Sequence, residues 1–335
     1  MKILVVGCGS IGRRHISNLV NMSETAVVDA VSQKAEKCAE EFGIRHFHDL
    51  TSALEWLPDG VVISTPHTTH LSVGNEIIKS IAFVLIEKPL SNSLEGVDSF
   101  LSAARQYGSS VYVVCNMRFH SGVKALHDNL PRIGKPLFAR AYYGNFLPDM
   151  RPDADYRTLY CSSREQGGGV ILDAIHELDY LSWFFGPVNR VTCEAGQLGD
   201  LDIDVEDYAC LGLAHRNEVR SEIHLDYLQR VKRRGCEIVG STGMLLWESE
   251  GKQPEKCHVR LYEINKRTWV DIYKNEDTDI NLPYRTMMEG FVSIITGKSG
   301  YLLTADQAAS TLSVALAAHT SAQQQRSIHM NGQIS

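Results

Sequence analysis

The sequence predicts an α/β protein in two parts: a doubly wound parallel sheet, then an α+β domain built on a largely antiparallel open sheet. Three observations carry this. A glycine-rich turn sits between an apolar run and a helical pattern at the N-terminus. Short, continuously apolar runs then alternate with helical patterns as far as residue 117, as buried parallel strands between helices do. From Val188 to Tyr273, strand-like runs follow one another with few helices, which favours antiparallel pairing.

Ile3 to Val6 reads as a short buried strand. Gly7-Cys8-Gly9-Ser10-Ile11-Gly12 follows at once, and His15, Ile16 and Leu19 begin a helical spacing. A strand, G-x-G-x-x-G and a helix in that order form the dinucleotide fingerprint. Gly7 permits the tight turn, Gly9 lets the backbone approach a pyrophosphate, and Gly12 lets helix and strand pack closely. Ser10 and Ile11 then offer N–H groups at the positive end of the helix. The run Ala26-Val27-Val28-Asp29 is the second strand, and Lys34 to Phe42 is helix-like, with Ala35, Cys38, Ala39 and Phe42 on one face. Leu54 and Leu57 mark a short helix closed by Pro58-Asp59-Gly60. Val61 to Ser64, a helix over 71–80, Phe83 to Ile86, a helix over 94–107 and Val111 to Val114 complete the alternation, giving a first domain of residues 1–117.

The second domain, 118–335, opens with a helix over 121–130 stopped by Pro131, then a strand from Phe138 to Tyr143. The polar, aromatic stretch 142–164 has little periodicity, and segments of that kind usually carry function. Gly167-Gly168-Gly169 precedes a helix over 170–185 ended by Gly186-Pro187, and its glycines would let substrate or cofactor approach closely. Strand-like runs fill 188–273, and helices near 287–295 and 305–325 close the chain.

Composition excludes several classes. The 335 residues suit two domains of roughly 100–200 residues each. A net charge of -7 argues against nucleic acid or an anionic membrane as the main partner. The one dense basic run, Arg230-Val231-Lys232-Arg233-Arg234, reads as a solvated strand end or loop, with a substrate phosphate contact as the alternative. No apolar run approaches the roughly 20 residues of a membrane span. Lys2 precedes only a four-residue apolar run, so no signal peptide is expected. The eight cysteines form no C-x-x-C, and a cytoplasmic protein with reduced thiols is the expectation.

Four clusters can do chemistry. Asp29, 17 residues past Gly12, can hydrogen-bond both ribose hydroxyls and repel a 2′-phosphate, favouring NAD; Ser32, Gln33 and Lys34 leave NADP open. Thr65-Pro66-His67-Thr68-Thr69-His70 ends the Val61 strand, where ligands bind in open α/β sheets, so Thr65, Pro66, His67 and His70 should line the cofactor. The H-x-x-H spacing lacks a third ligand nearby, and no metal is expected. Glu87-Lys88 ends another buried strand, where a charged pair is costly unless it is paired or functional; Lys88 is the candidate general acid/base and Glu87 is expected to contact the cofactor. On the helix after the glycine triplet, Asp173 and His176 at i and i+3 share a face with Glu177 and Tyr180, and a carboxylate beside an imidazole can tune proton transfer.

These motifs, VVGCGSIGRRH, the strand end at Asp29, VVISTPHTTH, IEKP, CNMRFH, GGGVILDAIHELDYLSWFFG and VGSTGMLLWE, together resemble the Gfo/Idh/MocA family of NAD(P)-dependent oxidoreductases over nearly the whole chain. The resemblance implies a Rossmann domain followed by a domain whose open sheet mediates a homodimer or homotetramer. It also implies that Lys88 and His176 share proton transfer and substrate binding with Asp173 as partner, and that Asn116 and Arg118 lie near nicotinamide and substrate. Many members space the helix aspartate and histidine four apart. Here the spacing is three, and the position four before His176 is Leu172. The segments LPDMRPDADYRTLY and HELDY look similar to members acting in surface-polysaccharide sugar pathways.

The expected function is hydride transfer between NAD and a hydroxyl or keto carbon of a small sugar, polyol or nucleotide sugar. Arg118, Arg151, Tyr156 and Arg157 would bind a substrate carboxylate or phosphate, and Glu177 and Tyr180 would also touch the substrate. The alternatives are a glycoside hydrolase that retains NAD and a non-catalytic NAD-binding sensor.

Overall fold

The computed structural model describes residues 1–252 and 254–330. Its contacts divide the chain into two units. The first comprises Met1–Asn116 with Tyr284–Ala309, and the second comprises Met117–Pro283 with the chain from Ser310 onward.

The first unit runs β1 (Lys2–Val6), α1 (Ser10–Leu19), β2 (Glu24–Val28), α2 (Ser32–Phe42), β3 (Arg45–Phe47), α3 (Leu50–Glu55), β4 (Gly60–Ile63), α4 (His70–Ile77), β5 (Phe83–Ile86), α5 (Val97–Tyr107) and β6 (Ser110–Val113). The first six strands pair in parallel in the order β6-β5-β4-β1-β2-β3. Ile3, Leu4, Val5, Val61, Val62, Ile63, Val84, Leu85 and Ile86 are fully buried, as strands covered on both faces require. The strand order reverses between β1 and β4, so the carboxyl ends of β1, β4 and β5 border the switch point where α/β sheets bind ligands.

Two details depart from expectation. Strand β3 was not foreseen, because Arg45-His46-Phe47-His48 has no apolar run. The short helix begins at Leu50, where Asp49 accepts from the Ser52 amide at 2.8 Å, and stops before Leu57, which takes φ 56° and lies exposed.

The second unit contains α6 (Ser121–Asn129), β7 (Pro136–Gly144), α7 (Leu147–Met150), α8 (Val170–Asp173), α9 (His176–Phe185), β8 (Val188–Gly196), β9 (Tyr208–His215), β10 (Arg220–Asp226), β11 (Arg233–Gly240), β12 (Gly243–Glu250), β13 (Glu255–Glu263) and β14 (Thr268–Thr278). After it come α10 (Leu282–Ile295), β15 (Leu303–Thr304), α11 (Ala305–Gln324) and β16 (Ile328–His329). The sheet order is β14-β13-β12-β11-β7-β10-β9-β8-β16, antiparallel throughout except for the parallel pair β7–β10. One face, with Ala139, Ala141, Ile223, Leu225, Cys236, Ile238, Leu245 and Trp247, is buried. The other carries Arg140–Glu222 at 3.0 Å and Arg260–Glu248 at 3.0 Å. On that open face a concavity of about 850 Å³ is lined in part by Arg140, Tyr142, His224, Arg233 and Leu246.

The late segment of the first unit answers a packing need. Antiparallel β15 extends the parallel sheet beyond β6, and Phe291 and Ile295 of α10 lie against Gly60 of β4. Among the described residues no helix is long and apolar enough to cross a membrane, and all eight cysteines are free thiols.

Candidate active site

In the first unit the glycine turn is built as its sequence demands. Gly7 adopts φ +100°, and a Cβ there would lie 2.7 Å from the Ser64 carbonyl oxygen. A Cβ on Gly12 would lie 2.0 Å from the Gly7 carbonyl oxygen, so α1 packs directly on the turn. Nothing lies within 4 Å of a Cβ built on Gly9, and α1 has no side-chain cap; its first N–H groups, over Ser10 and Ile11, are offered outward. That open, donor-lined cradle fits a dinucleotide pyrophosphate. Asp29 accepts from the Cys8 amide at 2.7 Å through Oδ2 and from the Val31 amide at 2.9 Å through Oδ1. It therefore braces the turn, while each oxygen keeps a second lone pair for a ribose hydroxyl.

The ends of β4 and β5 are tied to this turn. Ser64 Oγ donates to the Gly7 carbonyl at 2.9 Å. Thr65 Oγ1 accepts from Thr69 Oγ1 at 2.9 Å, and Pro66 is exposed. His67 and His70 are buried, with ring centroids 6.4 Å apart. His70 directs Nδ1 at the Pro89 carbonyl and Nε2 at the Thr65 carbonyl, both at 2.9 Å. Both faces of its chemistry are used inside the fold, so it joins the two strand ends and does not line an open surface as expected. Burial pushes its pKa down, against the pull of those carbonyls.

Glu87 is buried, and its Oε1 lies 2.6 Å from His15 Nε2. Its Oε2 accepts from the Lys88 amide at 3.0 Å, which fixes the backbone of the half-buried Lys88. Glu87 therefore anchors Lys88. The helical spacing placed His15 on α1 without its partner, although a histidine on the inward stripe of a helix needs a buried one. Tyr284 lies beside it, with 6.1 Å between ring centroids and the Arg14 guanidinium 4.7 Å from the Tyr284 ring. Asn116 is buried at the end of the unit.

In the second unit the expected continuous helix is broken. α8 ends at Asp173, Ala174 takes φ −93° and ψ 32°, and α9 begins at His176. The shared helical face expected for Asp173 and His176 is thus absent, and the break resets their relation. Asp173 instead accepts a hydrogen bond from Tyr160 Oη at 2.5 Å. Burial pushes the Tyr143 phenol up to about 12, and the Asp173 charge adds to the rise. The buried His176 opens α9.

The same turn carries two carboxylates clamped by arginine forks. Glu177 Oε1 and Oε2 accept from Arg234 Nε at 2.6 Å and Nη2 at 3.0 Å. Asp179 accepts from Arg118 Nε at 2.8 Å and Nη2 at 2.7 Å. Acidic groups in a first helical turn suit the dipole, and bidentate pairs fix their direction. Glu177 and Tyr180 are fully buried, and Tyr180 packs edge-on to Trp247. The expectation that they touch substrate is corrected: they hold α9 in place. The expected solvation of the basic run is corrected at Arg234, which is spent on Glu177, and at Lys232, which lies 3.5 Å from Glu255. The glycine triplet is also reassigned. A Cβ on Gly169, at φ +104°, would lie 2.3 Å from Glu206 Oε1, and that carboxylate caps α8 at the Ile171 amide at 3.1 Å. The close approach is made by the protein itself. Arg151 is exposed, Arg157 is paired with Asp155 at 2.7 Å, and Tyr156 Oη accepts from the Asp202 amide at 3.2 Å.

Two family models match the chain. One, described as an oxidoreductase family with an NAD-binding Rossmann fold, covers residues 1–114, and the other, the GFO/IDH/MocA C-terminal domain, covers residues 131–246. The chain belongs to the Gfo/Idh/MocA family. Among Gfo/Idh/MocA relatives, a 1,5-anhydro-D-fructose reductase from Ensifer adhaerens is 26% identical over 329 residues, 93% of each chain. A scyllo-inositol 2-dehydrogenase (NAD(+)) from Bacillus subtilis (strain 168) is 25% identical over 96% of this chain and 94% of its own. The WlbA dehydrogenase from Bordetella pertussis, solved in complex with NADH and UDP-GlcNAcA, shares the fold with a TM-score of 0.82 at 19% identity, covering 99% of both chains. This oxidoreductase carries an NAD-binding Rossmann domain, and the cradle over Gly7, Gly9 and Gly12 fits a dinucleotide.

Proposed function

We propose that this Gfo/Idh/MocA oxidoreductase moves a hydride between NAD and a ring carbon of a sugar, cyclic polyol or nucleotide sugar. The observation that carries the reading is one sheet edge of the first unit. The dinucleotide cradle follows β1, and Lys88, its backbone fixed by Glu87 and His15, follows β5 of the same sheet. Bound NAD supplies the hydride acceptor or donor. In the oxidative direction Lys88 Nζ takes the hydroxyl proton as the C–H bond breaks and the carbonyl forms; in reduction it returns it. In the second unit, the Tyr160–Asp173 pair and the buried His176 are proposed, by themselves, as groups that bind hydroxyls. The relatives named above, a 1,5-anhydro-D-fructose reductase and a scyllo-inositol 2-dehydrogenase, support this chemistry and leave glycoside hydrolysis and passive sensing without support. The test is a panel of polyols, sugar acids and nucleotide sugars with NAD or NADP, and the keto counterparts with the reduced cofactors, read at the reduced-nicotinamide absorbance. Turnover of at least one sugar or cyclic polyol is expected. Silence across the panel would sink the proposal, and free sugar released from an aryl glycoside without net NADH would replace it with hydrolysis.

The open face of the second unit, with its Arg–Glu ladders and Tyr142 and Leu246 around the 850 Å³ concavity, supports reading it as the interface of a homodimer or homotetramer. Multi-angle light scattering giving a monomer mass at micromolar concentration would remove that reading.

A further inference from the structure

The β2–α2–β3 crossover of the first unit gathers three metal-ligating side chains that hydride transfer does not use. His46 lies on the edge strand β3, which packs beside α2, and His48 follows one residue past the strand's end. Phe47, between them, lies against Trp56, with 5.8 Å between ring centroids. Glu36 projects from α2. One ring nitrogen from each histidine and one Glu36 carboxylate oxygen all lie within 4.8 Å of one another. The imidazoles meet nearly at right angles, at 86° with centroids 5.4 Å apart. Ser32 Oγ lies 3.0 Å from His48 Nδ1 and 3.5 Å from Glu36 Oε1, a fourth oxygen at the same place.

We propose that Glu36, His46 and His48 form a binding site for a divalent transition metal of the zinc type. Two imidazoles and one carboxylate are the donor set that such ions take, whereas magnesium and calcium call for oxygen donors throughout. Three protein ligands leave a fourth position for Ser32 Oγ or water. Modest side-chain rotation brings donors up to 4.8 Å apart onto a common ion with bonds of about 2.0–2.2 Å. The ion ties edge strand β3 to α2 and closes the turn that begins at Asp29 and Val31. It is structural and goes beyond the dehydrogenase reading, which does not need it.

The test uses the full chain after removal of metals by chelation. Co²⁺ titration should give a visible d–d absorption that saturates at one equivalent and is displaced by Zn²⁺. Glu36→Gln, His46→Gln and His48→Gln should each weaken binding roughly tenfold or more. A Cys38→Ser control should bind as wild type, which separates this site from the adjacent pair of thiols Cys8 and Cys38. Zn²⁺ should raise the thermal midpoint of wild type and leave that of His46→Gln/His48→Gln unmoved, with circular dichroism showing that the double variant is folded. Wild type that binds no Co²⁺, ligand variants that bind like wild type, or loss of binding in Cys38→Ser would each overturn the proposal.

Discussion

Residue chemistry at the first unit's sheet edge rests on few atoms. Lys88 is held through its amide by Glu87, and Glu87 by His15, so the backbone at this position is fixed through an amide that any side chain but proline leaves in place. Lys88→Met should therefore leave NAD binding, followed by fluorescence titration, close to wild type. Turnover of the best panel substrate should fall about 10²- to 10⁴-fold, the usual worth of a positioned acid/base. Wild-type turnover in this variant would remove Lys88 from the reaction. The strand-end location of Gly7, Thr65, Glu87 and Lys88 was readable in the sequence because continuous apolar runs mark where parallel strands stop. His15 and Tyr284 were not, because a buried polar residue is recognised only through its partner, and theirs lie far along the chain.

At the level of elements, the α8–α9 break shows where periodicity misleads. Residues 170–185 read as one helix because both halves are apolar and no proline or glycine interrupts them. The break at Ala174 is set by tertiary anchors on either side, the Glu206 cap on α8 and the arginine forks on the first turn of α9. Those anchors are charged residues from distant strands and turns, which a local pattern cannot register. The Arg234–Glu177 pair makes this testable. Glu177 is fully buried, so Arg234→Met would strand its charge, at a cost of about 3–5 kcal/mol of stability in urea unfolding. The double variant Glu177→Leu/Arg234→Met, with no charge left to bury, should recover most of that loss. If Arg234→Met alone unfolds like wild type, the fork does not anchor α9.

Across the whole molecule, the two sheet types were legible from the order of apolar runs, alternating with helices first and consecutive later. The return of residues 284–309 to the first unit was not, since β15 is two residues long and α10 gives no sign of which sheet it covers. What holds the molecule at acid pH was equally hidden. Burial alone would raise the Glu255 carboxyl, yet hydrogen bonds and charges from His120, Lys232 and Ser249 outweigh it and bring its pKa down to about 2. His120 Nδ1 accepts from the Gly122 amide at 3.1 Å, and its Nε2 faces Glu255, 3.6 Å away. A carboxylate depressed in the folded state contributes stability that is present above its unfolded pKa of about 4.3 and is lost as pH falls through about 2. The depression corresponds to about 3 kcal/mol at neutral pH. Glu255→Gln should therefore unfold at lower urea than wild type at pH 7, and the gap should close between about pH 4.3 and pH 2, where wild type also becomes neutral. A gap that stays constant across that window would show that the variant acts through packing and not through the lost charge, because Glu255 is the one titrating group that the two proteins do not share.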